Sequence, residues 1–163
     1  LGRPWQCTTI QVDFNLPSRF GVSYIAEDGK ERTPIMVHRA ILGSFERFFG
    51  VLIEHYAGAF PLWLSPVQVI IIPISQKHHA YALELKRRID KENIRSEVDL
   101  RNEKMEHKIR EAQLNKIPYM AIAGDREIAQ NEVSVRSRQK QNEGASKVEE
   151  FIKRLKSEIE TKV

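Results

Sequence analysis

Val67-Gln-Val-Ile-Ile-Ile-Pro-Ile74 is the most β-branched stretch of this chain, and its reading decides the fold. A run of this kind, with no polar residue on every second position, is the pattern of a strand covered on both faces. It is strand-sized, and nothing else in the sequence approaches the roughly 18 apolar residues that a membrane-spanning helix needs. Downstream, Lys77 to Glu92 reads as an amphipathic helix, Arg95 to Leu100 as a strand, Glu103 to Lys116 as a helix and Pro118 to Ala123 as a strand. That βαβαβ alternation predicts parallel strands joined by helical crossovers. Glu127–Ile128 and Val133 to Ser137 then read as a short hairpin. Ala145 to Glu160 reads as a last helix, packing through Val148, Ile152, Leu155 and Ile159.

Upstream of this run, Phe60-Pro-Leu-Trp-Leu-Ser-Pro66 carries two prolines, which remove backbone donors and disfavour helix just before them. A domain boundary is expected there, dividing the chain into 1–64 and 65–163. In the first piece Ile10, Val12 and Phe14 alternate with Thr9, Gln11 and Asp13, the period of a strand with one polar face. Val22 to Ala26 and Pro34 to Val37 are expected to form a hairpin across the turn Glu27-Asp-Gly-Lys30. Arg39 to Tyr56 reads as a helix whose stripe of Leu42, Phe45, Phe49, Leu52, Ile53 and Tyr56 faces the sheet, with Gly58 ending it.

With 41% hydrophobic and 29% charged residues, the 163-residue chain lies outside the compositions that stay disordered. The single cysteine, Cys7, excludes a disulfide framework and fits a reducing compartment. The chain starts at Leu1, with no signal-peptide pattern, as a segment from inside a longer protein would. The net charge of +4 falls entirely on residues 65–163, which points that piece toward a polyanion. Four of its basic side chains, Arg101, Lys104, Lys108 and Arg110, are expected to form a phosphate-facing patch.

Taken residue by residue, the candidate groups have ordinary explanations beside functional ones. The face bearing Thr9, Gln11 and Asp13 is either solvated or a site. His38 is a structural histidine or a metal ligand, although a catalytic zinc wants three protein ligands and one is visible. Arg47 is a salt-bridging arginine or a nucleotide contact, since its planar fork suits phosphate. Asn102 is a helix cap or a base-reading amide.

The linear text adds to this. Gly2-Arg-Pro-Trp-Gln-Cys-Thr-Thr-Ile-Gln-Val-Asp-Phe14 and Pro34-Ile-Met-Val-His-Arg-Ala40, continuing through Gly43-Ser-Phe-Glu-Arg-Phe48, resemble the end of the catalytic domain of threonyl-tRNA synthetases. His55-Tyr-Ala-Gly-Ala-Phe-Pro-Leu-Trp-Leu64 and Val98-Asp-Leu-Arg-Asn-Glu-Lys104 are similar to that family's junction and anticodon-binding domain. The resemblance implies an α/β chain. A remnant of the class II antiparallel catalytic sheet with its motif 3 helix is followed by an anticodon-binding domain, with a mixed sheet of about five strands and three helices.

It also implies roles. His38 is expected as one of three protein ligands of a zinc ion that binds the amino group and hydroxyl of threonine and so rejects valine. Gln6, Thr9, Gln11, Gly43, Ser44 and Arg47 are expected at ATP and the aminoacyl-adenylate, with Arg47 the catalytic arginine that holds the phosphate chain and Mg2+ accompanying ATP. Asn102, Arg110, Glu127 and Arg136 are expected to read the anticodon of tRNA(Thr). Class II motifs 1 and 2 and the other zinc ligands have no counterpart in the sequence, so the chain by itself is expected to be inactive. A cytoplasmic enzyme, homodimeric at full length and without a membrane partner, completes the expectation. The competing reading is a non-catalytic RNA-binding or regulatory protein, against which the joint retention of His38, Ser44 and Arg47 argues.

Overall fold

The computed structural model describes residues 2–162, so the expected domain ends Leu1 and Val163 fall outside it. The backbone divides into two units, Leu1–His55 and Tyr56–Val163. In the first, strand β1 (Thr9–Asp13) is followed by a single helical turn, α1 (Leu16–Arg19), then β2 (Tyr24–Ile25), β3 (Glu31–Arg32), β4 (Met36–Ala40) and helix α2 (Phe45–Tyr56). The expected hairpin is replaced by a tighter one: β2 pairs with β3, and β4 pairs antiparallel with β1. The turn closes at once, with Gly29 at φ +75° and Ala26 N–H bonded to Lys30 O at 2.9 Å, so the nearest available partner is Glu31–Arg32. Pro34 then frees the chain to cross to β1.

Helix α2 begins six residues later than expected. Arg39 and Ala40 belong to β4, and Leu42 (φ +66°) and Gly43 (φ +73°) turn the backbone out of helical space. Its apolar stripe is not buried against the two-stranded sheet, as expected, but stays open, with Phe45, Phe49 and Ile53 exposed. Ile10, Val12 and Phe14 are exposed as well. A ribbon of two five-residue strands offers too little surface to cover a helix face. Among the described residues of this unit only Pro17 is buried.

The second unit is built on β5 (Val69–Pro73), parallel to β6 (Ser96–Val98) on one side and β7 (Tyr119–Ala123) on the other. β8 (Glu132–Ser137) and β9 (Gln141–Lys147) extend the sheet antiparallel, giving the order β6-β5-β7-β8-β9. Two helices, α3 (His79–Lys91) and α4 (Met105–Leu114), join the parallel strands, a short α5 (Asp125–Gln130) lies between β7 and β8, and α6 (Val148–Thr161) follows β9. This is the mixed five-stranded α/β architecture expected. Val69, Ile71, Ala121, Val133 and Val135 pack against Leu85 and Ile89 of α3 and Phe151 and Leu155 of α6. Ile72, Met120 and Ile122 face the other way, toward Ala112 of α4. β5, the centre of the Val67–Ile74 run, is therefore covered on both faces, while Ile74 at its end is exposed. Among the described residues no helix is long and apolar enough to cross a membrane.

Two segments differ from expectation. Residues 127–128 lie in α5, because Glu127 Oε2 accepts the Gly124 N–H at 3.0 Å and closes a first turn that already carries Asp125. Residues 145–147, expected in the last helix, instead end β9. This strand carries no large apolar residue and forms a largely exposed edge.

The proline-rich segment before β5 packs into this second unit. Leu62 lies in its core, and Gln68, 1% exposed, ties it down: its Nε2 donates to Leu62 O at 2.8 Å, while its Oε1 accepts Arg95 N–H at 2.8 Å. Gln68→Leu leaves the Arg95 N–H without its partner and takes from the Leu62 carbonyl one of its two donors, the Ser65 N–H at 3.3 Å remaining. It is expected to cost about 1–3 kcal/mol in urea unfolding, a loss under 0.5 kcal/mol contradicting this account.

Candidate functional sites in the two units

In the first unit the pairing of β1 with β4 sets the geometry. Gln11 lies opposite His38 and Thr9 opposite Ala40, so Thr9, Gln11, Asp13 and His38 share one sheet face. Asp13 Oδ2 lies 3.1 Å from His38 Nε2, with the Asp13 side chain 19% and the His38 side chain 42% exposed. Asp13 Oδ1 accepts the N–H groups of Leu16 at 3.0 Å and Asn15 at 2.8 Å. Those two amides, with His38 adding to them, hold the Asp13 carboxyl below its ordinary value. A carboxylate anchored this way fixes the imidazole's orientation and engages one ring nitrogen, leaving the other for a ligand. Asp13 is the residue that the sequence reading left without a role. Its signal was there in the polar alternation, but its partner became visible only with the β1–β4 register.

The remaining groups gather around the start of α2. Ser44 Oγ accepts the Arg47 N–H at 3.3 Å, and Arg47 Nη1 donates to Gln6 O at 3.1 Å. Gln6 Nε2 in turn donates to Thr9 Oγ1 at 2.7 Å. Gly43 makes room for this: a Cβ there would stand 3.3 Å from Arg47 Cδ and 3.6 Å from Gln6 O. Gln6, Thr9, Gly43, Ser44 and Arg47 thus form one connected group, while Gln11 and His38 are cross-strand neighbours. Arg47 makes no ion pair among the described residues. Its guanidinium is steered by a carbonyl, which leaves donors for an anion. Among the described residues no three His, Cys, Asp or Glu side chains come together as a metal set.

In the second unit Asn102 sits in the loop after the carboxyl end of β6, and Glu127 in the first turn of α5, after the carboxyl end of β7. β5, between them, is where successive crossovers change sides, the place where open α/β sheets bind ligands. Asn102 is exposed and its side chain bonds to nothing among the described residues, and α4 begins with Lys104 as its uncapped N-cap, so Asn102 is not a helix cap. Arg110 is exposed on α4. Arg136 lies on β8 opposite Met120, on the α4 side of the sheet, and its Nε is buried without a hydrogen-bond partner. No direct bond joins any two of these four side chains. Glu127 is the one already committed to a structural bond.

The expected basic patch is smaller than the sequence implied. Lys108 is 3% exposed, its Nζ donating to Asp99 O at 2.9 Å. Arg101 holds Asp99 through Nε at 3.0 Å and Nη2 at 2.6 Å and also bonds Glu111. Lys104 and Arg110 are left to face solvent. Met105, Lys108, Ile109 and Ala112 follow a helical stripe, the signal that placed Lys108 inside.

Comparison with known proteins comes to the same regions. The family model described as "Anticodon binding domain" matches residues 68–158, and that described as "tRNA synthetase class II core domain (G, H, P, S and T)" matches residues 1–56. The chain is 54% identical over 162 residues to a threonine–tRNA ligase of Desulforamulus reducens, covering 99% of this chain and 26% of that protein. It is 55% identical to one of Caldanaerobacter subterraneus subsp. tengcongensis, covering 99% and 25%. It therefore spans about a quarter of the length of these relatives. Among solved structures, the RNA binding domain of threonyl-tRNA synthetase from Cryptosporidium parvum Iowa II superposes with a TM-score of 0.82 at 37% identity, over 95% of this chain and 40% of that one.

Proposed function

Because this chain belongs to the threonyl-tRNA synthetase family of class II aminoacyl-tRNA synthetases, we propose that its second unit reads the anticodon of tRNA(Thr) and its first unit lines part of the site where ATP activates threonine. The observation that carries the anticodon reading is Arg136 Nε, a buried donor with no acceptor among the described residues. Orphaned donors of this kind call for a partner, and an unstacked base edge supplies one. Asn102, Arg110 and Glu127 complete the set, the first with a side chain unused by the protein. We read the domain division at 64/65, with the segment before it, from Tyr56 on, docked on the second unit through Leu62. The test is binding of the tRNA(Thr) anticodon stem-loop to the chain. We expect specific binding that weakens when the anticodon bases are changed, and equal affinity for every loop sequence would refute it.

In the first unit the proposed division of labour follows the two bonded groups. Arg47 contacts the phosphates of ATP, which brings Mg2+, while Gln6, Thr9, Gln11, Gly43 and Ser44 line the adenylate. An arginine steered by Gln6 O and freed of ion pairing can stabilise charge as the threonine carboxylate attacks the α-phosphorus and the bond to the β-phosphate breaks, releasing pyrophosphate. His38, oriented by Asp13, fits a zinc ligand, and bound zinc would supply recognition of threonine through its amino group and hydroxyl. The full-length enzyme is read as a cytoplasmic homodimer.

One histidine is too few for tight metal binding, since catalytic zinc takes three protein ligands. The chain alone is expected to hold zinc weakly, through His38, and to give no threonine-dependent pyrophosphate exchange. Competition with a colorimetric chelator measures the first. An exchange signal, or zinc affinity unchanged in His38→Ala, would contradict the assignment.

A further inference from the structure

We infer that Arg101 is a positioning residue that fixes the Asp99–Lys104 loop so that Asn102 is presented to the anticodon, and that it is not itself a phosphate contact. The inference rests on the proposed anticodon reading. The loop is pinned at its start because Asp99 N–H bonds Ile71 O of the central strand at 3.0 Å. It is pinned at its end because Lys104 O takes the N–H groups of His107 at 3.0 Å and Lys108 at 3.2 Å in the first turn of α4. Between these points Arg101 closes the loop. Its backbone N–H and its Nε both reach Asp99 Oδ1, its Nη2 reaches Asp99 Oδ2, and it also bonds Glu111 on α4.

Asp99 is itself buried, 7% exposed, and Lys108 Nζ lies 3.9 Å from its carboxylate. Two carboxylates neutralise this guanidinium, so although its Nη1 is open to solvent it carries little net charge toward a phosphate. The only member of the loop whose amide side chain is exposed and bonds nothing is Asn102. A side chain that must hydrogen-bond a base edge loses less entropy on binding when its backbone is already fixed.

Arg101→Met releases the loop, while Lys108 still compensates Asp99, so the fold is preserved. Binding of the tRNA(Thr) anticodon stem-loop to the full chain is measured for Arg101→Met, Arg101→Lys, Asn102→Ala and the Met/Ala double variant, across a salt series. Arg101→Met is expected to weaken binding about tenfold, with the salt dependence unchanged. In the Asn102→Ala background it is expected to cost less than about twofold, because the group it positions is gone. Arg101→Lys is expected not to rescue, since an ammonium cannot reproduce the fork. Equal losses in both backgrounds, rescue by lysine, or a salt slope shallower by about one would make Arg101 a phosphate contact and overturn the inference. An Asn102→Ala variant that binds like the parent would instead overturn the base-reading role on which it rests.

Discussion

Arg136→Ala is expected to weaken binding of the tRNA(Thr) anticodon stem-loop by about 10- to 100-fold, the loss of one or two hydrogen bonds from a charged donor at about 1.5–3 kcal/mol. The loss is expected to depend on the base that Arg136 faces. A stem-loop already altered at that base loses little more, whereas loops altered elsewhere lose the full factor. The protein itself should gain slightly or stay level in stability, because alanine removes a buried donor that bonds nothing. Weaker binding together with unchanged unfolding separates a reading residue from a structural one. Affinity within twofold of the parent, by filter binding or fluorescence anisotropy, would remove Arg136 from the site.

Phe151→Ala is expected to destabilise the second unit by about 3–5 kcal/mol. Phe151 is 1% exposed and sits between the sheet and Leu62, its ring 5.9 Å from that of Tyr119 and inclined at 75°. The Arg154 guanidinium lies over both rings, 5.2 Å from Tyr119 and 5.5 Å from Phe151, so the substitution also removes a cation–π contact. Against a total domain stability of about 5–15 kcal/mol this is a large share. It is read as a lower urea midpoint, with anticodon binding at 10 °C largely retained. A loss below about 1 kcal/mol would mean that α6 is not the main cover of this sheet face.

The second unit was legible because burial leaves marks in sequence. Val69 to Pro73 had to be apolar on both faces, and α3 and α6 had to be apolar on one. β9 left no such mark. An exposed edge strand can be Gln-Asn-Glu-Gly-Ala-Ser-Lys, its place set by the antiparallel partner β8 rather than by its own side chains. In the first unit the residue types of the site were readable, but their grouping was not. The strand expected to pair with residues 22–26 ended at Val37, just before His38, and only the pairing of β4 with β1 brought His38 to Gln11 and Asp13. Lys108 and Arg101 were read as a charged face because charge is visible in a sequence and its neutralising partner, Asp99, is not. The text-level resemblance supplied the roles proposed for Arg47 and Asn102, which periodicity could not.

The near absence of buried residues from the first unit has a consequence for amide hydrogen exchange. β1 and β4 are bonded to each other, but among the described residues of the unit Pro17 is the one that is buried, so little resists a local opening of that ribbon. Its amides should trade with deuterium orders of magnitude faster than those of β5 and β7, which lie between two apolar layers and open only when the whole second unit does. Deuterium uptake at Gln11 and His38 is therefore a direct gauge of whatever orders that face. A nucleotide, a metal or a covering surface that protects them would reveal itself by slowed exchange before any turnover is measured.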